Sequence, residues 1–155
     1  MIRKALAACV LMIALSAFST AAIAGLAEEC SALFERGNQY YQHGDYARAT
    51  ESLERAARIA ENAFGSNSPN VGLVYNSLST AYMAQGRFAD AEPFLKRAIQ
   101  IRERNVGPNS VDLVPVLTNL GQVYDNQSRY EEAEALYKRV LAIQQASVGA
   151  DHPSV

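Results

Sequence analysis

The feature that most constrains this chain is that it matches itself when shifted by 42 residues. Tyr40 then falls on Tyr82 and Tyr124, Tyr46 on Phe88 and Tyr130, Ala49 on Ala91 and Ala133, and Gly65 on Gly107 and Gly149. Arg55, Arg97 and Arg139 share the register, as do Ile59, Ile101 and Ile143. A fixed period of this kind marks a chain of stacked supersecondary units, each too small to bury its apolar side alone.

Within a unit the apolar residues keep helical spacing. In the second, Tyr75, Leu78 and Tyr82 form one stripe, and Phe88, Ala91, Leu95, Ala98 and Ile101 form another. Between them lies AQGRF, where Gly86 can take the positive φ that ends a helix and turns the chain. Each unit is therefore expected to be a helical hairpin, bounded by Gly65 or Gly107 and the Ser, Asn and Pro that follow. With Asp112 as an N-cap, Pro115 stands in a first turn, where its missing N–H breaks no intrahelical bond. Pro93, deeper in its helix, should bend that helix or mark a later start.

The phrases YNSLSTAY and LTNLGQVY, with ADAEPFLKRA and EEAEALYKRV, resemble the tetratricopeptide repeat family. The resemblance spans roughly residues 28 to 149. The period is longer than the family's usual value of about 34, and GADHP at Gly149 to Pro153 resembles the spacer of the kinesin-light-chain branch. It implies an all-α, right-handed superhelical solenoid of three repeats, at about 28–65, 70–107 and 111–149, with 150–155 resembling the start of a fourth. In the first unit Arg36 stands where the pattern has Leu, which suits an N-terminal capping repeat with one face in water.

Residues 1–24 form a separate segment. Arg3 and Lys4 precede an uncharged apolar run, and Ala22 to Ala24 place small residues at a cleavage site, so the segment is expected to be a signal peptide. Ala5 to Ala24 also approaches the roughly 20 residues that span a bilayer; Ser16, Ser19, Thr20 and the small-residue end favour cleavage over retention as an anchor. LAAC at Leu6 to Cys9 lies too early in the run for a lipoprotein signal. Cleavage leaves 155 − 24 = 131 residues and 12 basic against 16 acidic groups, a charge of −4. Export from a bacterial cell is the expected localisation, to the periplasm of a Gram-negative bacterium or as a secreted protein, with no membrane association after cleavage. A negative chain without a basic face argues against a nucleic-acid partner. Cys30 then has no internal disulfide partner; a small buried residue, an intermolecular disulfide and a redox-active thiol are its possible roles.

The resemblance further implies a concave groove lined by the first helix of each hairpin, where a peptide or protein segment binds. By register the groove presents Phe34, Asn38, Tyr41 and Gln42 from the first unit. The second contributes Asn76, Ser77, Thr80 and Met83, and the third Thr118, Asn119, Gln122, Asp125 and Asn126. Side-chain amides supply donors and acceptors for an extended backbone, while Phe34, Tyr41 and Met83 offer apolar area. The cationic clamp with which some members hold acidic C-termini is missing, with Phe34, Ser77 and Pro115 at clamp positions. Glu54 with Arg58, Lys96 with Gln100, and Glu131 and Glu134 with Lys138 are expected to lace exposed helix faces.

Catalysis is not expected. Neither His43 nor His152 accompanies a triad, a zinc spacing or a phosphate loop, and the HGD of His43 to Asp45 reads as a turn. No cofactor or metal is implied. The chain is expected to act as an adaptor or scaffold. The alternative is a homo-oligomeric module, or the N-terminal part of a longer repeat protein, assembling through the apolar side of its last hairpin at Leu136, Val140 and Ile143.

Overall fold

In the computed structural model, the backbone of residues 2–149 and the side chains of residues 22–147 are described. The expected fourth-repeat tail at 150–155, with His152, lies outside the described residues, as do most side chains of the expected leader. Six helices follow one another: α1 (Ile2–Gln42), α2 (Tyr46–Phe64), α3 (Pro69–Ala84), α4 (Phe88–Val106), α5 (Val114–Asn126) and α6 (Tyr130–Gly149). A 3₁₀ turn, Val111–Leu113, leads into α5. Among the described residues there is no strand, and no helix is long and apolar enough to cross a membrane.

Consecutive helices pack as antiparallel hairpins, α1 with α2, α3 with α4 and α5 with α6, and each hairpin leans on the next through α2 against α3 and α4 against α5. The intrahairpin turns use left-handed backbone at one register position: Gly44 at φ 77°, Gly86 at 70° and Ser128 at 61°. Glycine takes this conformation without penalty, whereas Ser128 holds it against the clash between its Cβ and backbone. Between hairpins, Gly65 and Gly107 close α2 and α4 by donating to Glu61 and Glu103 carbonyls, both at 3.0 Å. Ser68 caps α3 by accepting from the Asn70 N–H at 3.3 Å. The third hairpin starts differently from the sequence expectation: Ser110, not Asp112, is the cap, accepting from the Asp112 N–H at 3.2 Å. A hydroxyl two residues before a free N–H meets it directly, and the short turn then feeds Pro115 into the first turn of α5.

The apolar stripes meet as one continuous core. Leu53, Leu78, Leu95, Leu113, Val116, Leu117 and Val123 have no exposed surface. Pro93 does not delay α4, which begins at Phe88 and runs through it. The adjoining Phe94 ring lies between Tyr82 (5.9 Å, stacked) and Tyr75 (5.2 Å, tilted), so aromatic packing holds the turn that lacks one hydrogen bond. Small residues let the paired helices approach. A Cβ on Gly37 would stand 2.6 Å from Leu53 Cγ, and one on Gly121 2.5 Å from the Tyr137 ring.

Several charged residues expected on open helix faces have other partners. Glu54 accepts a 2.5 Å hydrogen bond from the Tyr82 hydroxyl, joining α2 to α3, because the tyrosine is long enough to cross the seam. Lys96 pairs with Glu92 at 2.6 Å instead of Gln100, which accepts from Arg97. Only Glu134 with Lys138, at 2.6 Å, forms the exposed i, i+4 pair as expected. The repeated arginines fasten the loops between hairpins. Arg97 donates to the Ser66 carbonyl at 3.1 Å, and Arg139 to the Pro108 carbonyl at 2.8 Å.

Candidate functional site: the inner face of the first helices

The α3 backbone approaches those of both α1 and α5, whereas the backbones of α2 and α4 stay apart, as do those of α4 and α6, where the long Arg139 side chain bridges the gap to Glu103 at 2.7 Å. A stack whose first helices are neighbours while its second helices splay must curve, with α1, α3 and α5 on the inside. Three rows of register-equivalent residues cross this inner face: Phe34, Asn76 and Thr118; Asn38, Thr80 and Gln122; and Tyr41, Met83 and Asp125. Gln122 is exposed and the other eight are half-buried. Ser77 and Asn119, also half-buried, form a fourth partial row, and Gln42 and Asn126 are exposed at the helix ends.

The hydrogen bonds sort these residues. The Asn119 amide donates to Asn76 Oδ1 at 3.3 Å, linking α5 to α3 across the face. Thr80 donates to the Asn76 carbonyl at 2.9 Å and Asn126 to the Gln122 carbonyl at 2.8 Å, each on its own helix. Asp125 is drawn away from the face: the Tyr137 hydroxyl of α6 donates to it at 2.7 Å. Burial and this carboxylate together push the Tyr137 phenol up to about 12. Tyr41 packs on Tyr46 with ring centroids 5.3 Å apart, which ties it to the first hairpin's turn.

Phe34 stands beside a cavity of about 120 Å³ whose walls are Cys30, Phe64, Leu73 and Val74, with Ser31 and Asn70 at its polar edge. Leu73 is 45% exposed, a large apolar side chain on an otherwise amide-rich surface. It was absent from the sequence expectation, although it lies one helical turn before Asn76 and in register with Ser31 and Pro115. Phe64 was likewise missed because it comes from the end of α2. Cys30 is 5% exposed and approaches the Ala56 carbonyl at 3.5 Å. Burial raises its thiol above the ordinary range, which makes it a small packed residue and a poor nucleophile.

Charge is distributed unevenly between inner and outer helices. From Gly25 onward the three inner segments carry Glu28, Glu29, Glu35, Asp112 and Asp125 against the single cation Arg36. His43 and Asp45 do not pair with each other. The His43 ring Nδ1 lies 2.7 Å from the Gln39 carbonyl, and Asp45 caps α2 by accepting from the Arg48 N–H at 3.2 Å.

The model of the tetratricopeptide repeat matches residues 28–104 and 73–146, which takes in all three hairpins. The chain belongs to the tetratricopeptide repeat family. Members are generally noncatalytic modules of protein–protein interaction. Among solved structures, it is similar to BtubC (BKLC) from P. vanneervenii, at 25% identity and TM-score 0.72 over 81% of this chain and 50% of that one. A putative kinesin light chain of Podosopora anserina with nearly identical TPR-like repeats matches at 26% identity and TM-score 0.69, over 80% and 58%. The TPR domain of Arabidopsis FLU shares the fold at 13% identity and TM-score 0.69, over 78% of this chain and 98% of that one. The chain thus spans 50% of the BtubC chain and 58% of the Podosopora anserina one. No curated protein sequence matches it.

Proposed function

We propose that this tetratricopeptide repeat chain is an exported, noncatalytic adaptor that holds a peptide or protein segment along the inner face of α1, α3 and α5. The observation that carries the reading is the join between two kinds of surface. The Phe34 and Leu73 cavity would take one apolar side chain of the partner. Further along the inner face, the amides of Asn38 on α1 and Gln122 on α5, with no side-chain partner among the described residues, would meet its backbone. The near absence of inner cations disfavours an acidic segment and favours a neutral or basic one. Export rests on the charged, apolar and small-residue order of residues 1–24. The test is affinity capture from envelope extract with wild type, with Leu73→Ser, and with Asn76→Ala combined with Asn119→Ala. A protein held by wild type and lost from these variants supports the reading; equal recovery by all baits overturns it.

A second reading, association through the last hairpin, is favoured by one comparison. Leu141 is 53% exposed, while its register equivalents Ala57 and Ile99 are 5% and 8% exposed beneath the following hairpin. The expected patch is redrawn accordingly. Ile143 is buried at 3% within its own hairpin, Leu136 and Val140 are half-buried, and Leu141 and Tyr130 are the exposed apolar groups. Leu141→Glu should abolish concentration-dependent association in sedimentation velocity if this face pairs; unchanged association would exclude it.

A further inference from the structure

The other end of the stack carries a different surface. At the outer side of the first hairpin, Arg36 and Tyr40 of α1 and Arg48, Glu51, Ser52 and Arg55 of α2 surround an open cavity of about 200 Å³. In the second hairpin the register equivalents of Arg36, Tyr40 and Ser52 are Leu78, Tyr82 and Phe94. Those three line the seam where one hairpin meets the one before it. The first hairpin therefore presents, at the same place, polar and cationic groups facing water.

A capping face needs only polarity, but this one gathers three guanidinium groups and two hydroxyls that have few protein partners. Arg97 and Arg139 each spend their guanidinium on the carbonyl of the preceding loop, at Ser66 and Pro108. Arg55, their register equivalent, has no such carbonyl and makes only a loose 3.7 Å pair with Glu29. Arg48 reaches Asp45 at 3.5 Å, and Arg36 makes no ion pair among the described residues. The Tyr82 hydroxyl is used by Glu54, whereas the Tyr40 hydroxyl makes no hydrogen bond among the described residues. Ser52, only 8% exposed, likewise makes none with its hydroxyl.

We propose that this cavity is an oxyanion-binding site, in which Arg36, Arg48 and Arg55 hold a phosphate or carboxylate group of a ligand while Ser52 and Tyr40 donate hydroxyl hydrogen bonds to it. Guanidinium groups match the spacing of two oxygens on either group, and their weak hydration lets them exchange water for the ligand. Glu51 opposes the anion and limits its affinity. The site is separate from the inner face, so it does not depend on the groove reading.

The test is a nuclear magnetic resonance titration of the protein as purified, following arginine Nε–Hε and backbone signals. Inorganic phosphate, acetate and chloride are added in separate series at matched ionic strength. Saturable shifts at Arg36, Arg48, Arg55 and Ser52 with phosphate assign a phosphoryl ligand; with acetate alone, they assign a carboxylate. Arg36→Gln and Arg55→Gln should each weaken binding by about tenfold, Glu51→Gln should tighten it, and Arg104→Gln should leave it unchanged. Absence of saturation, equal shifts with chloride, or a loss in Arg104→Gln matching that in Arg36→Gln would overturn the proposal.

Discussion

Gly37→Ala tests the packing account of the first hairpin most sharply. The added Cβ would lie 2.6 Å from Leu53 Cγ and 2.9 Å from Cδ2. Leu53 has no exposed surface, and its Cγ is the branch point of the side chain, so neither the whole residue nor its end can swing aside. Overpacking of a closed core costs about 1–3 kcal/mol, and a contact this short belongs in the upper half of that range. Replacing a helical glycine by alanine returns up to about 1 kcal/mol. The net expectation is a loss of about 1.5 kcal/mol, which at an m-value of roughly 1–3 kcal/mol/M lowers the urea midpoint by about 0.5–1.5 M. Far-ultraviolet circular dichroism at a series of urea concentrations measures it. The same substitution in a Leu53→Ala background should be stabilising, because the clash is gone and only the helix preference remains. A Gly37→Ala protein as stable as wild type, or one destabilised equally in both backgrounds, would refute the reasoning.

Gly121→Ala should cost less than Gly37→Ala, since its clash is with the outer end of the half-buried Tyr137 ring, which can move at the expense of its bond to Asp125; the same urea series compares the two. Ser128→Gly should stabilise by about 1 kcal/mol, read as a higher melting temperature, because it removes a left-handed non-glycine residue. Burial and the Glu54 carboxylate push Tyr82 up to about 12. Between pH 10 and 12 the unfolded chain therefore loses this proton while the folded chain keeps it, so stability should fall as pH rises, and less steeply in Tyr82→Phe. Burial raises Glu92, but hydrogen bonds from Lys96 and Arg129 outweigh it and hold the carboxyl below its ordinary range. Glu92→Gln should accordingly cost about 1–3 kcal/mol near neutrality, and the difference from wild type should shrink as pH falls through the carboxylate range, followed by thermal melts.

The hairpins were legible because a period of 42 and a helical stripe report position along the chain and around each helix. Gly86 could be assigned its turn from residue type alone, and Ser128 sits in the same conformation because the repeat imposes it. What the pattern could not report is how far a side chain reaches across a seam. Tyr137 takes Asp125 from the inner face, and Tyr82 takes Glu54 from the outer one, because a phenol hydroxyl extends beyond its own helix. The Phe34 cavity needed Phe64 from a different helix, and the Arg55 site became visible only when its equivalents were seen bonded to loops that the first hairpin lacks.

The measurement that tests the central claim most directly is site-specific photo-crosslinking in living cells that make the protein. A photoreactive residue would be placed singly at Asn38, Thr80 or Gln122 on the inner face, and at Arg58 or Gln100 on the outer helices. The account predicts an adduct with one and the same partner from the inner positions and none from the outer. No inner adduct, or the same adduct from both sets, would contradict it.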